Sequence, residues 1–316
     1  MLSQNEIAGR MDALGLWDDL EHYNWALKPA GSVLPYFCTV HVDRSPGPVK
    51  VRLLLLEGWQ TLHDYIRLRI DSNYGVYASP FEMPHFCVVV LNDGVIRILR
   101  HDTGYAPREI TAAEAPLVQR MLWQVYGVMM RIESDRSIPM RYASEKAMFA
   151  RVEKGGGEWE DVPLEIPAPR AYVEKITLPK EDVKSAQDLP FVGDMSIELD
   201  FRLLDGIITT ESRPRTVYAL AATDSATGKV IFCRNASVSA DATLKSLWES
   251  VPPQLIKEFI AMGRVPGRIK LTSGRLFRMV RSLCMEFPIK ISLHDSLPAL
   301  ENAFAGLRKN ADSSSR

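Results

Sequence analysis

The chain has 316 residues, about twice the usual length of one domain, so two domains are expected. Its 46% hydrophobic and 24% charged residues exclude a disordered or fibrous protein, and a formal net charge of -1 excludes a global field drawing the whole molecule to nucleic acid or an anionic membrane. No apolar run approaches the ~18 residues a membrane crossing needs, and no secretory leader is evident, so a cytoplasmic protein without a membrane partner is expected.

Ser3 followed by Glu6 is a capping-box pattern, and Ile7, Met11 and Leu14 repeat at helical spacing, predicting a first helix that ends before about Lys28. Strands Tyr36 to Val42 and Val49 to Leu56 follow as antiparallel neighbours across a turn-rich Arg44 to Pro48. Leu62, Tyr65, Ile66 and Ile70 predict a short amphipathic helix. Phe86 to Leu91 and Val95 to Leu99 flank Asn92-Asp93-Gly94, the best local hairpin signal in the chain. Thr111 and Glu114 repeat the capping-box pattern ahead of a helix bearing Leu117, Met121, Val125, Val128 and Ile132. Met148 to Val152 and Trp159 to Val162 bracket three glycines as a second hairpin, and the proline-rich Pro163 to Arg170 marks the domain boundary, there or a little later before Asp194. The first domain, residues 1–170, is thus expected to be α+β with antiparallel strands and hairpins.

The second half has a different rhythm. Strands Met195 to Phe201, Thr216 to Ala222 and Lys229 to Arg234 form an antiparallel set, the last two joined by the turn Asp224 to Gly228. A helical stretch from about Asp241 to Met262 is divided at Pro252-Pro253. Strand Arg268 to Leu271, helix Gly274 to Met285, strand Pro288 to Leu293 and helix Pro298 to Leu307 then imply right-handed crossovers and parallel pairing. Residues 171–309 read as an α/β domain with a mixed sheet, and 310–316 as a disordered tail.

Three antiparallel strands followed by helix, strand, helix, strand, helix is the element order of the ribonuclease-H-like fold. The wording resembles the catalytic core of transposases and retroviral-type integrases: "SIELDFRLL" is similar to their first strand with its central acid, and "VYALAATDSATGKVIFC" to their second strand, turn and third strand. "VPGRIKLTSGRLFRMV" resembles their fourth strand, where that family has Pro-x-x-Ile-x-x-Asp-Asn-Gly. The whole chain also resembles an uncharacterised bacterial family built from the same two halves, which implies no activity.

The integrase-like resemblance implies chemistry by two divalent cations held between carboxylates. Asp200 stands where the first acid belongs, but Thr272 occupies the fourth-strand position and offers only a neutral oxygen. Glu301 is the candidate for the last acid, against its reading as an exposed residue of an amphipathic helix; Asp224 is explained equally by a turn bond to its own backbone, and Asp200 by a solvent-facing strand position. The catalytic candidates are therefore Asp200, Asp224 and Glu301, with Asp295 added only if the ligands are rearranged.

Ser273-Gly274 opens a helix directly after a strand, where free N–H groups would face an anion. Arg275, Arg278 and Arg281 follow at three-residue spacing, with Arg264, Arg268 and Lys270 just before. Together Ser273, Gly274, Lys270 and the three helix arginines are the candidate anion or nucleic-acid surface, the competing reading being a solvated, charge-balanced helix face.

In the N-terminal half, His41, Asp43, His63, Asp64 and His85 match no metal motif, and no metal is assigned. Cys38, Cys87, Cys233 and Cys284 lack paired zinc spacing and read as four buried reduced thiols. Trp59, Tyr65, Trp123 and Tyr126 read as core rather than a ligand cage. The sequence thus leads to a non-catalytic binding protein with a degenerate ribonuclease-H-like domain, no cofactor, and a protein or nucleic acid as partner. The alternative is a metal-dependent nuclease or phosphoryl-transfer enzyme with rearranged carboxylates, which alone would need Mg²⁺.

Overall fold

The computed structural model describes residues 3–21, 23–44, 47–70, 83–142, 144, 146–168, 176–208, 213–238 and 244–305, so the expected tail 310–316 lies outside the described residues. They are a mixed α/β set that falls into two compact units, one within residues 1–171 and the other within 172–316, with residues 68–70 and 104–106 grouped in the second.

The first unit opens with α1 (Gln4–Ala13) and α2 (Trp17–Leu20). The capping box on α1 is formed: Ser3 Oγ accepts from the Glu6 amide, and the Glu6 carboxylate accepts from the Ser3 amide. No helix continues toward Lys28, because Trp25–Lys28 is a strand, β1, whose first three residues are buried. Strands β2 (Tyr36–Val42) and β3 (Val49–Glu57), helix α3 (Trp59–Ile70), and strands β4 (His85–Leu91), β5 (Ile96–His101) and β6 (Arg108–Glu109) follow. Helix α4 (Ala115–Ser134) leads to β7 (Ala147–Glu153) and β8 (Trp159–Glu165).

These strands form one eight-stranded sheet in the order β6-β5-β4-β3-β2-β1-β7-β8. All neighbours are antiparallel except β1 and β7, so the sheet is mixed where an antiparallel one was expected. The missed strand β1 joins the two expected hairpin blocks into one sheet. Pro163 is tolerated because β8 is an edge strand. Cys38, Val40, Leu53, Leu55, Phe86 and Val88 point from one face into a core completed by Met11 of α1 and Met121, Val125 and Ile132 of α4. The alternate residues Phe37, Thr39, Leu54, His85 and Cys87 form the other face, where Trp59 and Tyr65 of α3 pack on Phe37 and Thr39.

The second unit begins with α5 (Lys180–Gln187), a helix for which no sequence expectation was formed, and β9 (Phe191–Ile208). Strands β10 (Arg215–Asp224) and β11 (Val230–Ala236), helices α6 (Leu244–Glu249) and α7 (Val251–Met262), strand β12 (Val265–Leu271), helix α8 (Gly274–Val280) and strand β13 (Lys290–Leu293) follow. The last helix, α9, covers 298–305. Pro252 and Pro253 sit in the first turn of α7, where a missing N–H costs nothing, so the division of the helical stretch falls just before them.

The five-stranded sheet has the order β11-β10-β9-β12-β13, antiparallel from β11 to β9 and parallel from β9 to β13. Ile197, Leu199 and Phe201 of β9 and Ile269 and Leu271 of β12 face a core shared with residues of α5, α6, α7 and α8. Leu297, Leu300 and Phe304 pack on Ala221, so α9 lies on the opposite face.

Candidate functional site

Alternation along β9 sends Glu198, Asp200 and Arg202 to the face that α9 covers. All three are buried, and Asp200 is only 1% exposed, so its expected solvent-facing position is corrected: a helix lies over that face. Oδ2 of Asp200 accepts from Arg202 Nε at 2.6 Å, and Oδ1 accepts from the Phe201 amide at 2.8 Å. Arg202 Nη2 then donates to Glu301 Oε1 at 2.7 Å, and its guanidinium carbon lies 4.4 Å from the centre of the Phe304 ring. One permanently charged guanidinium therefore stands between the first and last of the candidate acids. Burial raises the Asp200 carboxyl from its ordinary pKa, and Arg202 opposes that rise.

Glu198 has a different task. Its Oε2 accepts from the Leu300 amide at 3.0 Å, in the first turn of α9, where backbone N–H groups have no partner within the helix. Glu198 caps α9 while Asp200, through Arg202 and Glu301, holds the next turn. The charged face of β9 thus docks a helix.

The remaining acids do not join this group. Asp224 pairs with Ile197 across the β9–β10 ladder, whereas Asp200 pairs with Ala221, so the two carboxylates lie on opposite faces, three residues apart along the strands. Asp224 Oδ1 accepts from the amides of Ala226 and Thr227 and from the Thr227 hydroxyl, the turn bond expected of it, and these bonds hold its pKa below the ordinary value. Asp295 is exposed in the link between β13 and α9. The parallel register Lys270 to Glu198, extended by two residues, brings Thr272 level with Asp200; its buried Oγ1 has no hydrogen-bond partner among the described residues.

Residues 182–308 match a family model described as a domain of unknown function, DUF6930. No curated protein and no solved structure matches the chain. The DUF6930 segment starts inside α5, contains the whole five-stranded sheet, and includes Asp200, Arg202 and Glu301.

The basic residues of the DUF6930 segment are split by the sheet. Leu276, Met279 and Val280 anchor α8 in the core face, so Arg275, Arg278 and Arg281 ride on that side, with Arg275 stacked 4.1 Å over Trp248. Arg268 and Lys270 alternate with Ile269 and Leu271 and so face the opposite side. There Arg268 is paired across the ladder with Lys290, and Lys270 with Ser292. Lys290 was not singled out from sequence, although both Arg268 and Lys290 are exposed. Helix α8 has only seven residues, and Ser273 Oγ accepts from the Leu276 amide at 3.2 Å, so the expected anion position at Ser273-Gly274 is filled by the chain's own cap.

In the first unit, the scattered metal candidates find separate partners. His41 meets the Tyr65 hydroxyl, Asp43 pairs with Arg52, His63 meets the Pro167 carbonyl at 3.0 Å, and Asp64 accepts from the Gln60 amide at 3.0 Å. His85 instead joins Cys87, read from sequence as a buried reduced thiol, and His101, which sequence reasoning passed over. Among the described residues, these three form the only His, Cys, Asp or Glu group of three or more whose ligand atoms all lie within 4.8 Å of one another.

The hairpin places them. Asn92, Asp93 and Gly94 make a three-residue loop with Gly94 at φ +81°, the left-handed position such loops require. The resulting register sets His85 opposite His101 and Cys87 opposite Leu99. Burial depresses both imidazoles, His85 to about 4 and His101 to about 3, and raises the Cys87 thiol to about 12. Cys38 is also buried, but Cys233 and Cys284 are exposed, correcting the expectation of four buried thiols.

Among the described residues no helix is long and apolar enough to cross a membrane.

Proposed function

We propose that the second unit is a ribonuclease-H-like domain whose cation site has become a protein ion pair, and that the protein is a non-catalytic binding module. The carrying observation is Arg202, bonded to Asp200 at 2.6 Å and to Glu301 at 2.7 Å. A central strand with antiparallel neighbours on one side and parallel ones on the other supports the fold reading, as does Thr272 level with Asp200. Two Mg²⁺ ions need converging anionic oxygens. Here the guanidinium already takes the charge of the two acids, and Thr272 contributes none.

The nuclease alternative requires at least three carboxylates around shared ions. Asp224 lies on the wrong face for this, and among the described residues no three carboxylates bring oxygens within 4.8 Å of one another.

The partner in this reading is anionic and meets Arg268, Lys270 and Lys290. Two cations directly opposite each other on a sheet repel, and a bound polyanion relieves that repulsion. The test is a binding titration of the full chain with single-stranded and duplex DNA and RNA across salt, alongside a cleavage assay in Mg²⁺ and Mn²⁺. The reading expects binding that weakens steeply with salt, lost in Arg268→Glu/Lys290→Glu, and no cleavage. Cleavage that disappears in Asp200→Ala overturns the non-catalytic reading. Binding unchanged by the charge reversals overturns the assigned surface.

A further inference from the structure

The buried polar trio in the first unit is independent of everything proposed for the second. His85 and Cys87 are alternate residues of β4, and His101 ends β5 directly opposite His85, so one face of a single hairpin presents two imidazoles and a thiol. All are buried, at 1%, 2% and 2% exposure. An ordinary sheet interior has no need of three such groups. Leucine or valine would fill the space without the cost of desolvating polar atoms.

His85 carries a second sign of a ligand. Its Nδ1 lies 2.8 Å from the Met83 carbonyl, which can only accept, so Nδ1 bears the proton and Nε2 keeps the lone pair. A backbone carbonyl on the far nitrogen is the usual outer partner of a metal-bound histidine, fixing both tautomer and ring direction. Arg100 beside the trio is already paired, with Glu57 at 2.7 Å and Asp102 at 2.9 Å, so its charge is largely compensated.

We propose that His85, Cys87 and His101 bind one soft, closed-shell Cu⁺ ion. A thiolate and imidazoles suit soft metals, whereas Mg²⁺ and Ca²⁺ need oxygen donors. Charge and coordination number select among the soft ions. One thiolate with Cu⁺ leaves a buried site neutral, whereas Zn²⁺ leaves a net positive charge and calls for a fourth donor to complete its tetrahedron. Binding displaces the thiol proton, so one H⁺ leaves for each ion taken up. The two imidazoles stack at 4.3 Å and 10°, with one nitrogen of each and the Cys87 sulfur all within 4.8 Å of one another. Loading therefore turns one ring about its Cβ–Cγ bond, a soft torsion, until both nitrogens and the sulfur face one point.

The test uses the full chain, purified anaerobically with its thiols reduced. It is titrated with Cu⁺ against a chromophoric Cu⁺ chelator and, separately, with Zn²⁺ against a Zn²⁺ indicator; the loaded protein is examined by X-ray absorption. The expected result is one Cu⁺ per chain with two nitrogen scatterers and one sulfur. Cys87→Ser and His101→Gln should weaken binding by more than about 100-fold, beyond the 10–100-fold that loss of an outer partner costs. No stoichiometric Cu⁺ binding overturns the proposal, as does Zn²⁺ binding without Cu⁺ binding. A Cu⁺ shell unchanged in Cys87→Ser also overturns it, by placing the ion on another cysteine. Should a variant fail to fold, the wild-type scattering shell still decides: any set other than two nitrogens and one sulfur refutes the site.

Discussion

Asp200 and Arg202 stand two residues apart on β9, point to the same face, and close to 2.6 Å between Oδ2 and Nε, with the two side chains 1% and 7% exposed. A buried pair of this kind contributes little net stability over an apolar pair, but removing one partner strands the other charge without water.

Arg202→Met should therefore cost about 3–5 kcal/mol, leaving the Asp200 carboxylate uncompensated. Adding Asp200→Asn to the same chain should recover most of that loss. Urea denaturation of wild type, both single variants and the double variant gives the coupling, and simple additivity would contradict the pairing.

The β12–β13 edge makes an opposite kind of prediction. Lys290→Glu converts the repulsive pair with Arg268 into an attractive one, so stability should rise by about 0.2–1 kcal/mol while affinity for a polyanion falls. A shared loss of both in thermal melts and binding titrations would mean that Lys290 has a structural role.

Where β9 and β12 approach, Gly267 is not replaceable. A Cβ there would lie 2.3 Å from the Gly193 carbonyl oxygen, a clash with backbone that no rotamer relieves. Gly267→Ala should destabilise the protein by more than about 2 kcal/mol. Gly193→Ala meets only the Phe191 ring edge at 3.5 Å and should be tolerated; circular dichroism melts of the two variants make the comparison.

Glu114 supplies the pH dependence. Arg108 first, then Thr111, hold its carboxyl down at about 2 against an ordinary 4.5. Between those values the unfolded chain binds the extra proton, so the contribution is whole above pH 4.5 and disappears as pH falls through about 2. With solvent screening at a partly exposed site it amounts to about 0.5–1 kcal/mol. Glu114→Gln should lower stability at pH 7 by that amount and flatten the acid limb of a stability-against-pH curve.

Local patterns carried much of the fold. The capping box at Ser3 and the loop at Asn92 to Gly94 made their expected bonds, because each is set by neighbours in sequence, whereas Thr111 and Glu114 bond each other in the turn before α4, whose N-cap is Glu114 without a side-chain cap. The loop also held unused information: counting back along both arms from Asp93, the middle of the loop, places His85 opposite His101, so two of the three buried polar residues were legible in the register. The strand β1 was not, since its parallel partner β7 lies more than 100 residues away and the first helix's pattern ran into it. Asp200 looked like a surface residue because alternation reveals which face is apolar, but not whether a helix covers the other. The charges of Glu198, Asp200 and Arg202 at two-residue spacing in a central strand were the available signal. The basic residues seemed one cluster because they are neighbours in sequence, although strand alternation and α8 send them to two sides of the sheet.

In the proposed reading Arg202 takes the position a cation would need. Electron paramagnetic resonance titration of the full chain with Mn²⁺, with Asp200→Asn and Glu301→Gln as controls, tests this directly. The prediction is that these two substitutions leave the Mn²⁺ isotherm unchanged. A saturable Mn²⁺ site in the wild type that both substitutions abolish would contradict it.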